Sequence, residues 1–311
     1  MLVLEDPSYD NKLDGISCIA RKNRSKCYLR LENVGFEYLI ELNPLNLTWY
    51  QLCDHLATKP VTLLSNVNNI NIFARTVKNE LYHKYANDTW YVDTKNDYKI
   101  IGEVSCVTVN VDGTIICYVR TEQNEILIWN QADDSFQQLQ TPNNTISFLT
   151  DLYCTSEYDD GITTVVCVAT STDYNVYGML CHSNGIQCSS WILLSIKTKF
   201  QIQLRPLVFF YGNQKRHLGL YAVSTDSEPY ICTCQNCTET TNNWNEIWSE
   251  WMLLTSVRPL QTLESTFIND QDKLAYIVAI TQDDNMAYST FDGQHHIPRP
   301  FLSLSNRVTS Y

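Results

Sequence analysis

The twelve cysteines are the residues of this chain best suited to chemistry, either as metal ligands or as disulfide partners. A structural zinc site needs two Cys-x-x-Cys units, or one unit together with closely spaced histidines. The chain has one such unit, Cys234–Cys237, and its six histidines lack ligand spacing, since the side chains of the adjacent His295 and His296 diverge. We therefore predict disulfides, no metal site and no cofactor.

Five N-glycosylation sequons accompany the cysteines. Each has the form Asn-x-Ser/Thr, and they begin at Asn23, Asn46, Asn87, Asn143 and Asn236. Sequons together with many cysteines indicate the secretory pathway, where disulfides persist. The first residues lack the regions of a signal peptide, and no apolar run reaches about 18 residues, the length of a membrane-spanning helix. We expect a mature secreted chain or the extracellular domain of a surface protein.

Charge and composition narrow the function classes further. The net charge is −12 and the pI is about 4.9, which argues against a nucleic-acid partner, because phosphate binding needs a basic face. Hydrophobic residues make up 44% of the chain and charged residues 18%, a composition that supports a large core rather than disorder.

A repeated hairpin pattern positions these residues. Its clearest copies are residues 71–82 and 115–127, in which an apolar strand is followed by Arg-Thr, two variable residues, Asn-Glu and a second strand. We take as equivalent the positions Arg21, Arg75, Arg120, Thr170, Ser224 and Thr281. Their spacings are 54, 45, 50, 54 and 57 residues, and wrapping through the chain ends gives 51. A wrapped spacing close to the others predicts a closed ring of repeats.

Two further strands precede each hairpin and complete a four-stranded unit. One strand begins with an aromatic residue, at Trp49, Trp90, Phe136, Trp191 and Trp251. The next often opens with a basic residue and proline, as at residues 59–61, 205–207 and 258–260. Four antiparallel strands per repeat are typical of one blade of a β-propeller.

We therefore predict an all-β fold, a six-bladed β-propeller of four-stranded antiparallel blades in a single domain, 1–311. The predicted blades are approximately residues 298–311 with 1–48, then 49–89, 90–135, 136–190, 191–250 and 251–297. In this arrangement three N-terminal strands join one C-terminal strand, 301–304, to close the ring and remove its free edges. Residues 36–42 are left as an extra strand.

The repeat places several cysteines opposite each other on neighbouring strands, where Cα atoms lie within reach of a disulfide, about 5.5 Å apart. The predicted pairs are Cys106–Cys117, Cys154–Cys167, Cys18–Cys27 and Cys181–Cys188. The first two pairs join the second and third strands of their blades, the third pair crosses a third-to-fourth-strand hairpin, and the last closes a short loop. The pairing of the remaining four stays open: Cys53, Cys232, Cys234 and Cys237.

The repeated unit resembles that of the propeller lectins, the bacterial fucose-binding propellers and the tectonin-like group. The best matches are residues 70–85 and 114–129, and the Trp-Ser-x-Trp element of those lectins occurs at residues 248–251. The resemblance implies a six-bladed propeller that binds glycans. The chain is also similar to viral attachment-protein heads, which are six-bladed, cysteine-rich and N-glycosylated.

The tryptophans divide into two groups by their place in the repeat. Those that lead a strand, Trp49, Trp90, Trp191 and Trp251, share one repeat position and are predicted to pack between blades. Trp129 and Trp244 fall outside that position. Trp244 lies in the polar insert 232–247, and loops on a rigid scaffold often carry recognition, so these two residues are the predicted partner contacts.

Catalytic signatures are absent from the sequence. It has no Gly-x-Ser-x-Gly elbow, phosphate-binding loop or dinucleotide fingerprint, and it lacks the Asp-box turn of six-bladed sialidases. We predict a non-enzymatic extracellular protein that recognises a glycan or a cell-surface protein. The alternatives are a sialidase-like or other glycosidase propeller, a viral attachment-protein head and a structural assembly subunit.

Overall fold

The computed structural model describes residues 12–21, 24–32, 37–43, 46–51, 61–65, 69–76, 78–85, 91–92, 98–109, 113–139, 146, 148, 151–159, 162–172, 175–182, 185–194, 200–210, 216–224, 226–235, 248–254, 256, 258–269, 274–283, 286–291 and 302–303. The elements in this part of the chain are β-strands, numbered β1 to β25. Their enrichment in Val, Ile, Thr and Tyr fits a pleated, buried surface. No helix in the described residues has the length and apolarity needed to cross a lipid bilayer.

The strands form six antiparallel sheets, each built from consecutive strands. The first three are β1 (Lys12–Arg21), β2 (Arg24–Glu32), β3 (Glu37–Asn43) and β4 (Asn46–Gln51); β5 (Val61–Ser65), β6 (Asn69–Arg75), β7 (Leu81–Tyr85) and β8 (Tyr91–Val92); and β9 (Ile100–Val109), β10 (Thr114–Thr121), β11 (Ile126–Asn130) and β12 (Ser135–Gln138).

The last three sheets follow the same plan. They are β13 (Tyr153–Asp159), β14 (Ile162–Thr170), β15 (Val176–His182), β16 (Gln187–Cys188) and β17 (Ile192–Leu193); β18 (Phe200–Phe210), β19 (Arg216–Ser224), β20 (Pro229–Gln235) and β21 (Met252–Leu253); and β22 (Leu260–Asn269), β23 (Leu274–Thr281), β24 (Met286–Phe291) and β25 (Leu302–Ser303). In the fourth sheet β16 and β17 both pair with β15.

These sheets are the six blades of a propeller, numbered 1 to 6 in chain order. The first strands of successive blades contact one another in the order β1, β5, β9, β13, β18 and β22, and β22 contacts β1. The inner strands therefore form a closed ring, and the later strands of each blade extend outwards from it.

The ring closes differently from the sequence-based expectation. β25 pairs with β24, and β1 to β4 form a complete blade from N-terminal residues alone. The predicted joining of N-terminal strands to a C-terminal strand is therefore wrong. The reason is that each aromatic-led segment is the outermost strand of one blade rather than the first strand of the next: β12, which contains Phe136, pairs with β11 across a short turn. This shift of one strand moves every blade boundary and makes 37–43 an ordinary third strand.

The hydrophobic core lies between blades. Along β10, Ile116 and Tyr118 pack in a cluster with residues of blade 4, whereas Ile115, Cys117 and Val119 pack in a cluster with residues of blade 2. Successive side chains of a strand point to opposite faces, and here both faces are covered. This double burial explains why the strand is continuously apolar rather than alternating.

The repeated Arg-Thr-x-x-Asn motif forms the turn between the second and third strands. The Thr76 hydroxyl accepts hydrogen bonds from the backbone N–H groups of Lys78 and Glu80, at 3.2 and 3.3 Å, and Asn79 is left-handed with φ 66°. Ser224 accepts two equivalent bonds in blade 5. Side-chain bonds of this kind stabilise the turn locally, and asparagine tolerates the left-handed conformation.

In blades 2 and 3 the arginine before this turn joins neighbouring blades. Arg75 of blade 2 donates from Nε to the carbonyl of Gly102 in blade 3, at 2.8 Å. Arg120 of blade 3 donates to the carbonyl of Phe148, at 2.9 Å, and to the carboxylate of Asp151, at 3.2 Å, both on the path into blade 4. In these two blades the charged residue of the motif therefore links one blade to the next.

Strand register also corrects the predicted alignment of the repeats. Val223 and Ile280 occupy in blades 5 and 6 the position that Arg75 holds in blade 2. The predicted equivalents Ser224 and Thr281 are therefore one residue late, because their hydroxyls belong to the turn. The predicted equivalence of Arg21 with Arg75 is wrong for another reason. Arg21 ends β1, at the hairpin between the first and second strands, and not at the turn between the second and third.

Candidate functional site

Disulfides brace the blades. Cys106–Cys117 and Cys154–Cys167 join the first and second strands of blades 3 and 4, with Cα atoms 4.0 and 4.1 Å apart. Cys181–Cys188 joins the third strand of blade 4 to its outer strand. These are the pairs expected from the sequence, although the first two connect strands one step earlier than predicted.

Register extends this pattern to blade 1. Cys18 lies directly opposite Cys27 across β1 and β2, the first and second strands of the blade rather than the predicted third and fourth. A disulfide between them stays a prediction. Among the sequon asparagines, Asn46 is the first residue of β4. The others, Asn23, Asn87, Asn143 and Asn236, lie outside the described residues.

Two of the remaining cysteines lie two residues apart in β20. Cys234 is disulfide-bonded. Cys232 is a buried free thiol whose S–H donates to the carbonyl of Ser249, with sulfur and oxygen 3.2 Å apart. Burial raises the pKa of the Cys232 thiol to about 12, so it is protonated and inert at neutral pH. Cys53 and Cys237 lie outside the described residues.

The structure corrects the prediction for Trp129. Its side chain is fully buried between blades 2 and 3, with ring centroids 5.6 Å from Phe73 and 5.4 Å from His83. A residue with no exposed surface cannot contact a partner, and Trp129 belongs to the inter-blade core. Its companion in that prediction, Trp244, lies outside the described residues.

Half-buried aromatic side chains gather instead where the outer strands of blades 4 and 5 meet. Tyr230, Trp248 and Trp251 of blade 5 and Ile192 of blade 4 all pack against the core cluster between these blades and remain partly exposed. We call these four residues the outer 4–5 interface. The packing of Trp251 there agrees with the inter-blade position predicted from the repeat.

Carboxylates border this interface. The Tyr230 hydroxyl donates to a carboxylate oxygen of Glu228 at 3.2 Å. Glu228 and Asp226 are exposed in the turn that leads into β20, and Glu250 is exposed immediately before Trp251. Partial burial, followed by the hydrogen bond and charge of Glu228 and the charge of Asp226, raises the pKa of Tyr230. The interface therefore combines aromatic surface with an acidic edge.

One backbone motif sets the position of the outer tryptophans. The Ser249 hydroxyl accepts from the N–H of Thr233 at 2.9 Å and donates to the carbonyl of Glu250 at 3.0 Å, just before Trp251. Ser189 makes the same two bonds in blade 4, just before Trp191. The Ser-x-Trp element is therefore present in two blades. The full Trp-Ser-x-Trp form is visible in the sequence only at residues 248–251, because Cys188 stands where blade 5 has its first tryptophan.

The equivalent place in blade 4 is built differently. Cys188 is bonded to Cys181, whereas in blade 5 Trp248 lies opposite Cys234. The Trp191 ring is covered by Phe148, with ring centroids 4.7 Å apart. Trp191 therefore packs between blades 3 and 4, as its repeat position predicts.

Comparison with known proteins gives a match at the level of fold. No protein-family model matches the chain, and no curated protein is significantly similar to it in sequence. Among solved structures it is similar to AofleA from Arthrobotrys oligospora, with a TM-score of 0.69 at 10% identity over 95% of this chain and 87% of that one.

Two lectins give the same result. The SapL1 lectin, solved in complex with alpha methyl fucoside, matches with a TM-score of 0.64 at 12% identity over 93% of this chain and 94% of that one. The lectin of Aleuria aurantia, described as a six-bladed β-propeller with a novel mode of fucose recognition, matches with a TM-score of 0.61 at 11% identity over 94% and 96% of the two chains. The predicted six-bladed β-propeller fold of this chain is confirmed.

Proposed function

We propose that this protein is an extracellular glycan-binding propeller and that the outer 4–5 interface binds the sugar. The observation that carries the proposal is the packing of three half-buried aromatic side chains, Tyr230, Trp248 and Trp251, against one inter-blade core cluster, with the exposed carboxylate of Glu228 bonded to Tyr230.

The chemistry of this arrangement suits a carbohydrate. Sugars present apolar C–H faces, which aromatic side chains cover, and hydroxyl groups, which need fixed polar partners. A carboxylate accepts hydrogen bonds from hydroxyls with about twice the strength of a neutral acceptor. Glu228 is already oriented by the Tyr230 hydroxyl, so one of its oxygens has a fixed partner before the sugar arrives.

Two broader observations support the same function. The solved structures that share this fold over nearly the whole chain include lectins, and one of them holds a methyl fucoside. The disulfides across the strands of blades 3 and 4 suit an oxidising, extracellular location. A cell-surface glycoprotein would present such a sugar to this interface.

A glycan microarray with the non-reduced, enzymatically deglycosylated protein tests the proposal. We expect selective binding that falls roughly tenfold or more in Glu228→Gln, since a hydrogen bond to a charged group contributes about 1.5–3 kcal/mol. Glu125→Gln is the matched control, because Glu125 follows the turn of blade 3 as Glu228 follows that of blade 5. A blank array with protein that melts cooperatively would refute sugar binding.

A turnover assay distinguishes the alternative function, that of a glycosidase, from sugar binding. We expect no release of fluorophore from a fluorogenic sialoside or fucoside, and reversible binding to any sugar that the array identifies. Steady release that scales with protein concentration would replace the binding function with a hydrolytic one.

A further inference from the structure

The acidic edge of the outer 4–5 interface restricts which sugars can bind there. Asp226 and Glu228 are exposed in one turn, and Glu250 precedes Trp251 on the facing segment. Both carboxylates of the turn act on the Tyr230 hydroxyl and raise its pKa, after the effect of partial burial. A ligand that contacts Tyr230 therefore enters a region of negative potential.

The cationic side chains whose contacts the structure describes serve other parts of the ring. Arg75 and Arg120 join neighbouring blades, Arg258 pairs with Asp283 in blade 6, and Lys99 lies 4.0 Å from Glu122 in blade 3. The whole chain carries a net charge of −12, so the long-range field has the same sign as the local one.

Resting on the proposed function, we infer that the outer 4–5 interface selects neutral sugars and rejects anionic ones, such as sialylated, sulfated or uronic-acid glycans. A hydroxyl can donate to the Glu228 carboxylate, whereas a carboxylate or sulfate at the same place has no proton to donate and is repelled. Two like charges at about 6 Å near a protein surface lower the affinity by roughly tenfold or more at low salt.

Matched glycan pairs test this selectivity. Each pair presents one neutral oligosaccharide and the same oligosaccharide with a terminal sialic acid or a sulfate, printed on one array and probed at low and high salt. We expect the neutral member to bind at least about tenfold more strongly, and the ratio to shrink as salt screens the carboxylates.

Two variants assign the effect to a residue. Asp226→Asn keeps the Glu228 acceptor but removes one negative charge, so the ratio of neutral to anionic binding should fall severalfold. Glu122→Gln removes another exposed negative charge, in blade 3, and should leave this ratio unchanged. Cooperative melting of both variants shows that each is folded.

The outcomes separate this inference from the function on which it rests. Neutral binding with loss of the anionic partners supports both. Equal or stronger binding of the anionic members overturns the selectivity and leaves glycan binding in place. Absence of binding to every glycan by the folded protein overturns the proposed function itself.

Discussion

Substitution of Gly102 by alanine is expected to destabilise the ring through a contact between two blades. Gly102 lies in β9 with a left-handed φ of 70°, and a Cβ at this position would overlap the carboxylate of Asp151. That carboxylate accepts a hydrogen bond from Arg120 at 3.2 Å, and the two side chains are only 14% and 17% exposed. The added methyl group must therefore push Asp151 away from its partner.

The expected cost has two parts. A non-glycine residue held in the left-handed region costs about 1 kcal/mol. Weakening the charge-assisted bond between Arg120 and Asp151 costs about 2 kcal/mol, since Arg120 Nε is already buried without a partner. Unfolding entropy of about 2.1 cal/mol/K per residue over 311 residues gives about 0.65 kcal/mol/K. For a ring that melts as one unit, about 3 kcal/mol then lowers Tm by about 4–5 °C.

A double-mutant cycle measured by calorimetry under non-reducing conditions identifies the cause. Asp151→Ala alone should cost about 2 kcal/mol, because it also deprives Arg120 of its partner. In Gly102→Ala/Asp151→Ala the methyl group has room, so the total should be about 3 kcal/mol rather than the 5 kcal/mol of two independent effects. Additive losses in Tm would refute the argument that the Asp151 carboxylate is what the methyl group meets.

Three further predictions concern buried groups. Tyr118→Phe removes a 2.7 Å hydrogen bond to the Gly185 carbonyl between blades 3 and 4, and should lower Tm by about 2 °C in calorimetry. With its thiol pKa raised to about 12, Cys232 should resist iodoacetamide at pH 8 in the native protein and react only after denaturation, as peptide mass mapping would show; rapid native labelling would contradict its burial. Replacing Cys106 and Cys117 together by alanine opens a loop with a sequence separation of 11 and should cost about 3 kcal/mol, or about 4–5 °C in Tm.

The sequence predicts the spacing of the repeats in this ring but not which strand begins each blade. Repeats at about 50-residue spacing show that six similar units follow one another, yet any of the four strands could begin the sheet. The choice depends on which segment pairs across a short turn and which crosses to the next blade. β11 and β12 are separated by four residues, 131–134, and pair directly, whereas the chain crosses between blades after β12. Strand patterns alone do not distinguish these two connections.

The prediction of the disulfide pairs does not depend on which strand begins each blade. Cys106 and Cys117 flank one tight turn and face each other in an antiparallel hairpin, whichever strand of the blade they belong to. The environment of Trp129 is different in kind, since it depends on Phe73 and His83 from another blade. A contact between segments about fifty residues apart leaves no local pattern in one sequence, so the burial of Trp129 could not be predicted.

The repeat also shows how the position of Tyr230 varies from blade to blade. The position of Tyr230 in the third strand is held by Tyr82 in blade 2, Leu127 in blade 3, Tyr177 in blade 4 and Ala287 in blade 6. Leu127 is fully buried and Ala287 offers no ring, so among these five blades, blades 2, 4 and 5 keep a half-buried tyrosine.

Blades 4 and 5 then differ at the outer strand. The outer-strand position is Cys188 in blade 4, where it is bonded to Cys181, and Trp248 in blade 5, where it lies opposite Cys234, itself bonded to another cysteine. A disulfide fixes the outer strand covalently but provides neither a flat apolar face nor a hydrogen-bonding group. The same scaffold thus uses one repeat position for bracing in blade 4 and for aromatic surface in blade 5. Under the proposed function, these local substitutions on a common frame distinguish the blade 5 outer strand from that of blade 4.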